Sequence, residues 1–210
     1  MTKSQIWDIT PLVTSQFPFW PNSEPLQRLV SQDINNGDAF TCSAISGTVH
    51  LGAHADAPSH YAREGITIDA CPLHHYLGLC QVIRPKVQHG EPITKQLVTQ
   101  TILAPRVLFA TSTFDFSKPF REDYAAFDPN LFEWLAQHSV MTIGIDGPSV
   151  DLYHAKDSPC HHLAYKYGVA IIENLDLEKV PEGVYELIAL PLKIKGFDAS
   201  PVRAILRSIN

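Results

Sequence analysis

Residues 50–61 read His50-Leu51-Gly52-Ala53-His54-Ala55-Asp56-Ala57-Pro58-Ser59-His60-Tyr61, and three of the chain's ten histidines crowd into them around one aspartate. Neutral imidazole and carboxylate are the ligands that suit zinc, manganese or iron. On a straight strand His50 and His54 would stand about 13 Å apart, at about 3.3 Å per residue. One cation needs both rings within about 2 Å of it, so the backbone must bend. Gly52 permits the bend, and Ala57-Pro58 forces a further non-helical turn before His60. A preceding strand is therefore expected to deliver His50, and a bend at Gly52 to return His54 to the same point. Asp56 follows with two oxygens able to bridge two cations. His60 arrives late enough to stand beside the metal without binding it. A lone His-x-x-x-His would more often be a surface pair at a turn; a set of four with an internal Gly and Pro weighs against that.

Strand-like runs dominate the chain on either side. Trp7–Thr10, Phe40–Val49, Gln81–Lys86, Val107–Thr111, Thr142–Asp146, Ala170–Glu173 and Tyr185–Leu190 are short, mostly apolar and bounded by turn residues, as buried strands are. Helical signals are fewer. Thr94–Thr99 could form a short helix. Asp128-Pro129 ahead of Leu131, Phe132, Leu135 and Ala136 reads as an N-cap, a first-turn Pro and an apolar stripe. His161–Tyr167 is a third, stopped by Gly168. The fold class expected is α/β (α+β), strand-rich, with a mixed sheet and short helices.

A chain of 210 residues, 45% hydrophobic and 18% charged, with no linker-like block and no repeat, is expected to form one domain spanning 1–210. The net charge of −6 and the lack of any Lys/Arg stripe speak against nucleic acid as a partner. Cys42, Cys71, Cys80 and Cys160 form no CxxC pair and read as free packing thiols in a reducing compartment. Met1-Thr2-Lys3-Ser4-Gln5 has no apolar leader core, and no run approaches the roughly 20 apolar residues of a membrane helix. A cytoplasmic protein without a membrane partner is expected.

A second candidate segment is Pro159-Cys160-His161-His162, followed by Glu173 at the end of an apolar run. Taken alone, the histidine pair reads as a helix start or a surface feature. Glu173 is equally compatible with solvent and with a site. Trp7 and Trp134 read as core, and so does Trp20 between its prolines. Asp146, before Gly147-Pro148, reads as a buried turn-stabilising carboxylate.

The pattern His50-x-Gly-x-His54-x-Asp56-x-Pro58-x-His60 with a distal His and Glu resembles the cyclase-like metal-dependent amidohydrolases, and within them the bacterial kynurenine formamidase branch. The likeness runs through Ile6-Trp7-Asp8-Ile9, Phe19-Trp20-Pro21, Tyr76-Leu77-Gly78, Ile145-Asp146-Gly147-Pro148-Ser149-Val150 and Tyr185–Leu192. It closes on Asp198-Ala199-Ser200-Pro201-Val202-Arg203-Ala204.

The resemblance implies a compact swivelling β/β/α-type domain that forms homodimers. It also implies two divalent cations per subunit, zinc first and manganese second. His50, His54 and Asp56 would hold one; Asp56 would bridge to another completed by His161 and Glu173. His161 is preferred to His162 by its spacing to Glu173. His60 would be the acid–base residue and Trp20 would line the substrate pocket. The implied reaction is hydrolysis of N-formyl-L-kynurenine to L-kynurenine and formate. The alternatives are a related hydrolase of another aryl amide or a cyclic imide such as isatin, and a metal-binding protein without catalysis. The chain departs from the family at Thr14-Ser15-Gln16-Phe17-Pro18, where a glycine-rich turn is usual, and at Asn22, where Gly is common.

Overall fold

The computed structural model describes residues 4–209; Met1-Thr2-Lys3, part of the start read above for a leader, and Asn210 lie outside them. Thirteen strands are seen: β1 (Ile6–Asp8), β2 (Gln27–Gln32), β3 (Cys42–Ser46), β4 (His54–Asp56), β5 (Leu77–Ile83), β6 (Pro92–Ile93), β7 (Arg106–Phe109), β8 (Ala126–Phe127), β9 (Thr142–Ile145), β10 (Ala170–Glu173), β11 (Gly183–Ile188), β12 (Ala199–Pro201) and β13 (Ile205–Ser208). Two helices, α1 (Pro129–Gln137) and α2 (Pro159–Tyr167), accompany them. Nine strands form one sheet in the order β1-β13-β11-β5-β7-β9-β10-β4-β12. Strands β5, β7, β9 and β10 run parallel to one another, and the flanking pairs are antiparallel. The expected mixed sheet with short helices is present.

The continuous apolar runs have a simple origin, because the central strands are covered on both faces. Side chains alternate across a strand. Val107 and Phe109 of β7 and Ile171 of β10 therefore join one core with Leu131, Phe132 and Leu135 of α1 and Cys160 and Ala164 of α2. Leu108 and Ile172 point the other way, into a second core with Val82, Leu187 and Leu206. Trp7 packs against this second core and Trp134 against the first, each partly buried.

Local signals fix the helices. The Asp128 side chain accepts the Asn130 N–H, and Pro129 occupies the first turn as expected. Helix α2 begins two residues before the expected start, at Pro159, and ends on Gly168 in the left-handed region. Thr94–Thr99 gives only a single 3-10 turn at Lys95–Leu97. Asp146 is a buried turn carboxylate that accepts the Thr111 hydroxyl and the Ser112 N–H.

The first long strand departs most from expectation. Instead of running Phe40–Val49 into His50, β3 stops at Ser46 and pairs with β2 in a hairpin with no buried residue on either strand. Cys42 is exposed on it, while the other three cysteines pack inside as expected. The reach from Gly47 to Ala53 is irregular, and it is this loop that carries His50.

Two glycines set the geometry near the histidines. Gly52 adopts φ +57°, the bend expected there. Gly65 lies so close to the Pro58–Ser59 backbone that a Cβ would collide with the Pro58 carbonyl and the Ser59 nitrogen. Gly65→Ala is expected to destabilise the fold by about 1–3 kcal/mol, the usual cost of overpacking, and urea denaturation would measure it. An unchanged midpoint would show that the Pro58–His60 turn yields freely.

Candidate metal centre

The sheet builds this site at one edge. In β4, His54 and Asp56 are two residues apart and share a face. Strand β10 lies antiparallel beside it, with Glu173 directly opposite His54. His50 comes from the irregular loop before β4, His60 from the 3-10 turn Pro58–His60 after it, and His161 from the first turn of α2. All five ligand candidates expected from the sequence converge. His161 is buried, whereas His162 faces out.

Each of three histidines is tethered by one ring nitrogen and turns the other inward. His54 Nδ1–H donates to the Gly52 carbonyl at 2.8 Å. Its Nε2 then faces Asp56 Oδ1 at 3.5 Å and Glu173 Oε2 at 3.4 Å. His50 donates from Nε2 to Asp198 Oδ2 at 3.1 Å, leaving Nδ1 3.2 Å from Asp56 Oδ1. His161 donates from Nδ1 to Asp151 Oδ2 at 2.6 Å, leaving Nε2 3.5 Å from Asp56 Oδ2 and 3.7 Å from Glu173 Oε1. Fixing one nitrogen in this way settles the tautomer and presents the other's lone pair.

The inward atoms do not satisfy one another. His54 Nε2 and both oxygens of Asp56 are buried without a hydrogen-bond partner, an expensive state for polar groups. Two donor atoms sharing a tetrahedral cation at about 2.1 Å stand about 3.4 Å apart. The separations above cluster around that value, too long for good hydrogen bonds and right for a common ion. Among the described residues, three groups have ligand atoms that lie within 4.8 Å of one another: His50, His54 and Asp56; Asp56, His60 and His161; and His50, His60 and Asp198. The two oxygens of Asp56 belong to different sides of the cluster, and so do those of Glu173. The residues fit divalent cations.

Electrostatics agree. Burial alone would favour the neutral forms of His50 and His161. The carboxylates of Asp198 and Asp56 around His50, and of Asp151 and Asp56 around His161, outweigh it and raise both to about 10. Burial also pushes Asp56 upward, but His161 and His50 more than reverse that and hold its carboxyl well below the usual range. The buried carboxylates thus favour positive charge at this place, and a divalent cation would supply it.

The matching family model, described as "Putative cyclase", covers residues 7–152. The chain belongs to the cyclase family. Among its relatives, a kynurenine formamidase from Bordetella petrii is 39% identical over 98% of this chain and 99% of its own. A solved structure described as a potential metal-dependent hydrolase with cyclase activity superposes with TM-score 0.85 at 29% identity, over 99% of each chain. Isatin hydrolase A from Ralstonia solanacearum shares the fold, with TM-score 0.84 at 22% identity over 98% of this chain and 92% of that one.

Beside the cluster this cyclase-family chain has a cavity of about 290 Å³, lined by Phe17, Phe19, Trp20, His60, Ser149 and Asn174 among others. Trp20 is no core residue: it is 40% exposed and meets Tyr153 at 5.2 Å and Phe120 at 5.5 Å. Asn22 takes φ +67°, a conformation Asn tolerates better than most residues, so the family's usual Gly is replaced without breaking the turn. Two acidic residues that tether ligands carried no local signal in the sequence. Asp198 lies within a stretch quoted for the resemblance, and Asp151 lies ten residues before His161, just past another. Asp151 also accepts the Cys160 and His161 N–H groups at the start of α2, where Ser158 supplies no cap.

A cation held by this cluster binds only the folded state. Zinc at about 100-fold above its Kd should therefore stabilise the protein by about 2.7 kcal/mol, read as a rise in Tm. His54→Ala should remove most of that rise. An equal rise in the variant would place the cation elsewhere.

Proposed function

We propose that this chain is a metal-dependent amidohydrolase that converts N-formyl-L-kynurenine and water to L-kynurenine and formate. The carrying observation is the 39% identity with a kynurenine formamidase over nearly the full length of both chains, joined to a cluster whose unsatisfied donors fit divalent cations. His50, His54 and Asp56 would hold one cation, and Asp56, His161 and Glu173 would hold a second. Zinc is the first choice and manganese the next, since the set is imidazole and carboxylate without thiolate.

When bound, the cations lower the pKa of a water and offset the negative charge that grows on the formyl oxygen. The chain's own groups do the rest. Burial keeps His60 below its ordinary pKa against the pull of Asp56 and Glu173, so its ring starts neutral and can take the water proton. It then returns that proton to the anilide nitrogen, which leaves poorly unless protonated. Trp20 and Phe19 present aromatic surface along the cavity, suited to the aryl ring of the substrate. The isatin reading rests on a likeness at 22% identity, which speaks for the fold alone. The free cysteines accord with the cytoplasm.

A homodimer belongs to the same reading. A two-stranded hairpin is at best marginal alone in water, yet β2 and β3 expose Leu29, Val30 and Ile45 at 51%, 47% and 79%. A second copy would cover them.

Purified, zinc-loaded protein should release formate from N-formyl-L-kynurenine, lose that activity on chelation and regain it with zinc or manganese. His60→Ala should lower kcat by about 10²–10⁴-fold with metal content unchanged. No turnover in protein holding two equivalents of metal would reject the substrate. Light scattering should give close to twice 23.3 kDa, and Ile45→Asp should halve it; a monomeric parent protein would reject the dimer.

A further inference from the structure

His60 is the one histidine of the centre whose tether has not been named. Its Nδ1 lies 3.3 Å from Asp198 Oδ2, the oxygen that also accepts from His50 Nε2 at 3.1 Å. The His50 and His60 rings pack with their centroids 4.2 Å apart, and one carboxylate oxygen lies within 3.3 Å of a nitrogen of each. We infer that Asp198 is a positioning residue for the reaction proposed above, one that fixes the His60 ring and holds its proton on Nδ1.

The placement is built by backbone. Strand β12 pairs with β4 so that Ala199 stands opposite Asp56. The Asp198 carbonyl accepts the Ala57 N–H at 2.8 Å, and the neighbouring Phe197 carbonyl accepts the Ile68 N–H at 2.9 Å. These bonds clamp the segment bearing Asp198 to the chain on either side of the Pro58–His60 turn. The distance between Asp198 and His60 is thereby set by the sheet and does not depend on two free side chains finding each other.

Asp198 lies behind the ligands. It meets the outward nitrogen of His50, while the inward Nδ1 faces Asp56. It could share a cation with His50 and His60 only through the outward His50 Nε2, apart from the place that Nδ1 faces, so the metal content of an Asp198 variant separates that role from positioning. For positioning, Asp198 accepts a hydrogen bond from His60 Nδ1–H. That leaves Nε2 as the nitrogen with a lone pair, able to take a proton from water and give it back to the leaving nitrogen. A His60 ring that flipped or carried its proton on Nε2 would start in the wrong form for the first of those steps.

The test uses full-length zinc-loaded protein. In its long-range ¹H–¹⁵N spectrum, with His60 assigned by His60→Ala, His60 should carry its proton on Nδ1, and Asp198→Ala should abolish that preference. At saturating zinc, Asp198→Ala should lower kcat about 10- to 100-fold, as loss of an orienting partner does, with KM nearly unchanged. Added to His60→Ala it should cost nothing further. Asp198→Asn keeps an acceptor oxygen and should recover part of both signals; it also serves should the alanine variant fail to fold. Loss of zinc from Asp198→Ala would show that Asp198 serves the metal, as a ligand or through the His50 it tethers, and would overturn the inference. So would an unchanged tautomer, or a kcat loss that adds in full to that of His60→Ala. Should the parent protein not turn over N-formyl-L-kynurenine, the proposed substrate fails while the tautomer spectrum still decides the role of Asp198.

Discussion

Two carboxylates, Asp56 and Glu173, are buried side by side where β4 meets β10, and the rest of the site follows from that placement. Buried anions are tolerated only when opposite charge surrounds them. Here the compensation comes from imidazole rings arriving on three different segments: the loop before β4, β4 itself and the first turn of α2. Each ring is held from behind by an acceptor: His54 by Gly52 just before it, and His50 and His161 by Asp198 and Asp151 from other parts of the chain. The sheet edge, the helix start and the closing strands are therefore tied together through one small volume of charge.

That arrangement accounts for features which look unrelated along the chain. Glu173 ends an apolar strand because its side chain turns from the core into the cluster. There Oε1 also accepts the Val150 N–H at 2.8 Å. Helix α2 lacks a cap of its own because Asp151, reached from a preceding loop, both satisfies its first N–H groups and orients His161. Gly52 bends the chain and, through its carbonyl, sets the tautomer of His54.

Much of this was legible in the sequence. The His50–His60 motif places chemistry at short range, where a glycine and a proline constrain the path, and its reading as a convergent set agrees with the geometry. Central strands β7, β9 and β10 were legible because burial on both faces leaves an unbroken apolar run. The edges were not. Strands β12 and β13 carry mixed residues and are decided by pairing partners far away in sequence, while β2, exposed along its length, shows no buried face to read. The same holds for Asp151 and Asp198: an aspartate that orients a histidine over ten or more residues of separation leaves no local spacing to detect. The strand expected to lead into His50 failed because Phe40–Val49 has strand composition but spends it on the outward hairpin, leaving an irregular loop to reach the site.

The aromatic wall and the ionic cluster have different foundations. The cluster stands mostly on strands and a helix start, where a one-residue slip would reverse the face of a side chain. Phe17, Phe19 and Trp20 stand on a loop, Trp20 leaning on Phe120 and Tyr153 and Phe17 on Phe116 from other irregular segments. Insertions and exchanges are tolerated far better on such segments than within a ladder. Lineages built on this scaffold can therefore change what they recognise by remodelling a rim while inheriting the reactive centre intact. The αL asparagine at position 22 is a small instance of that freedom.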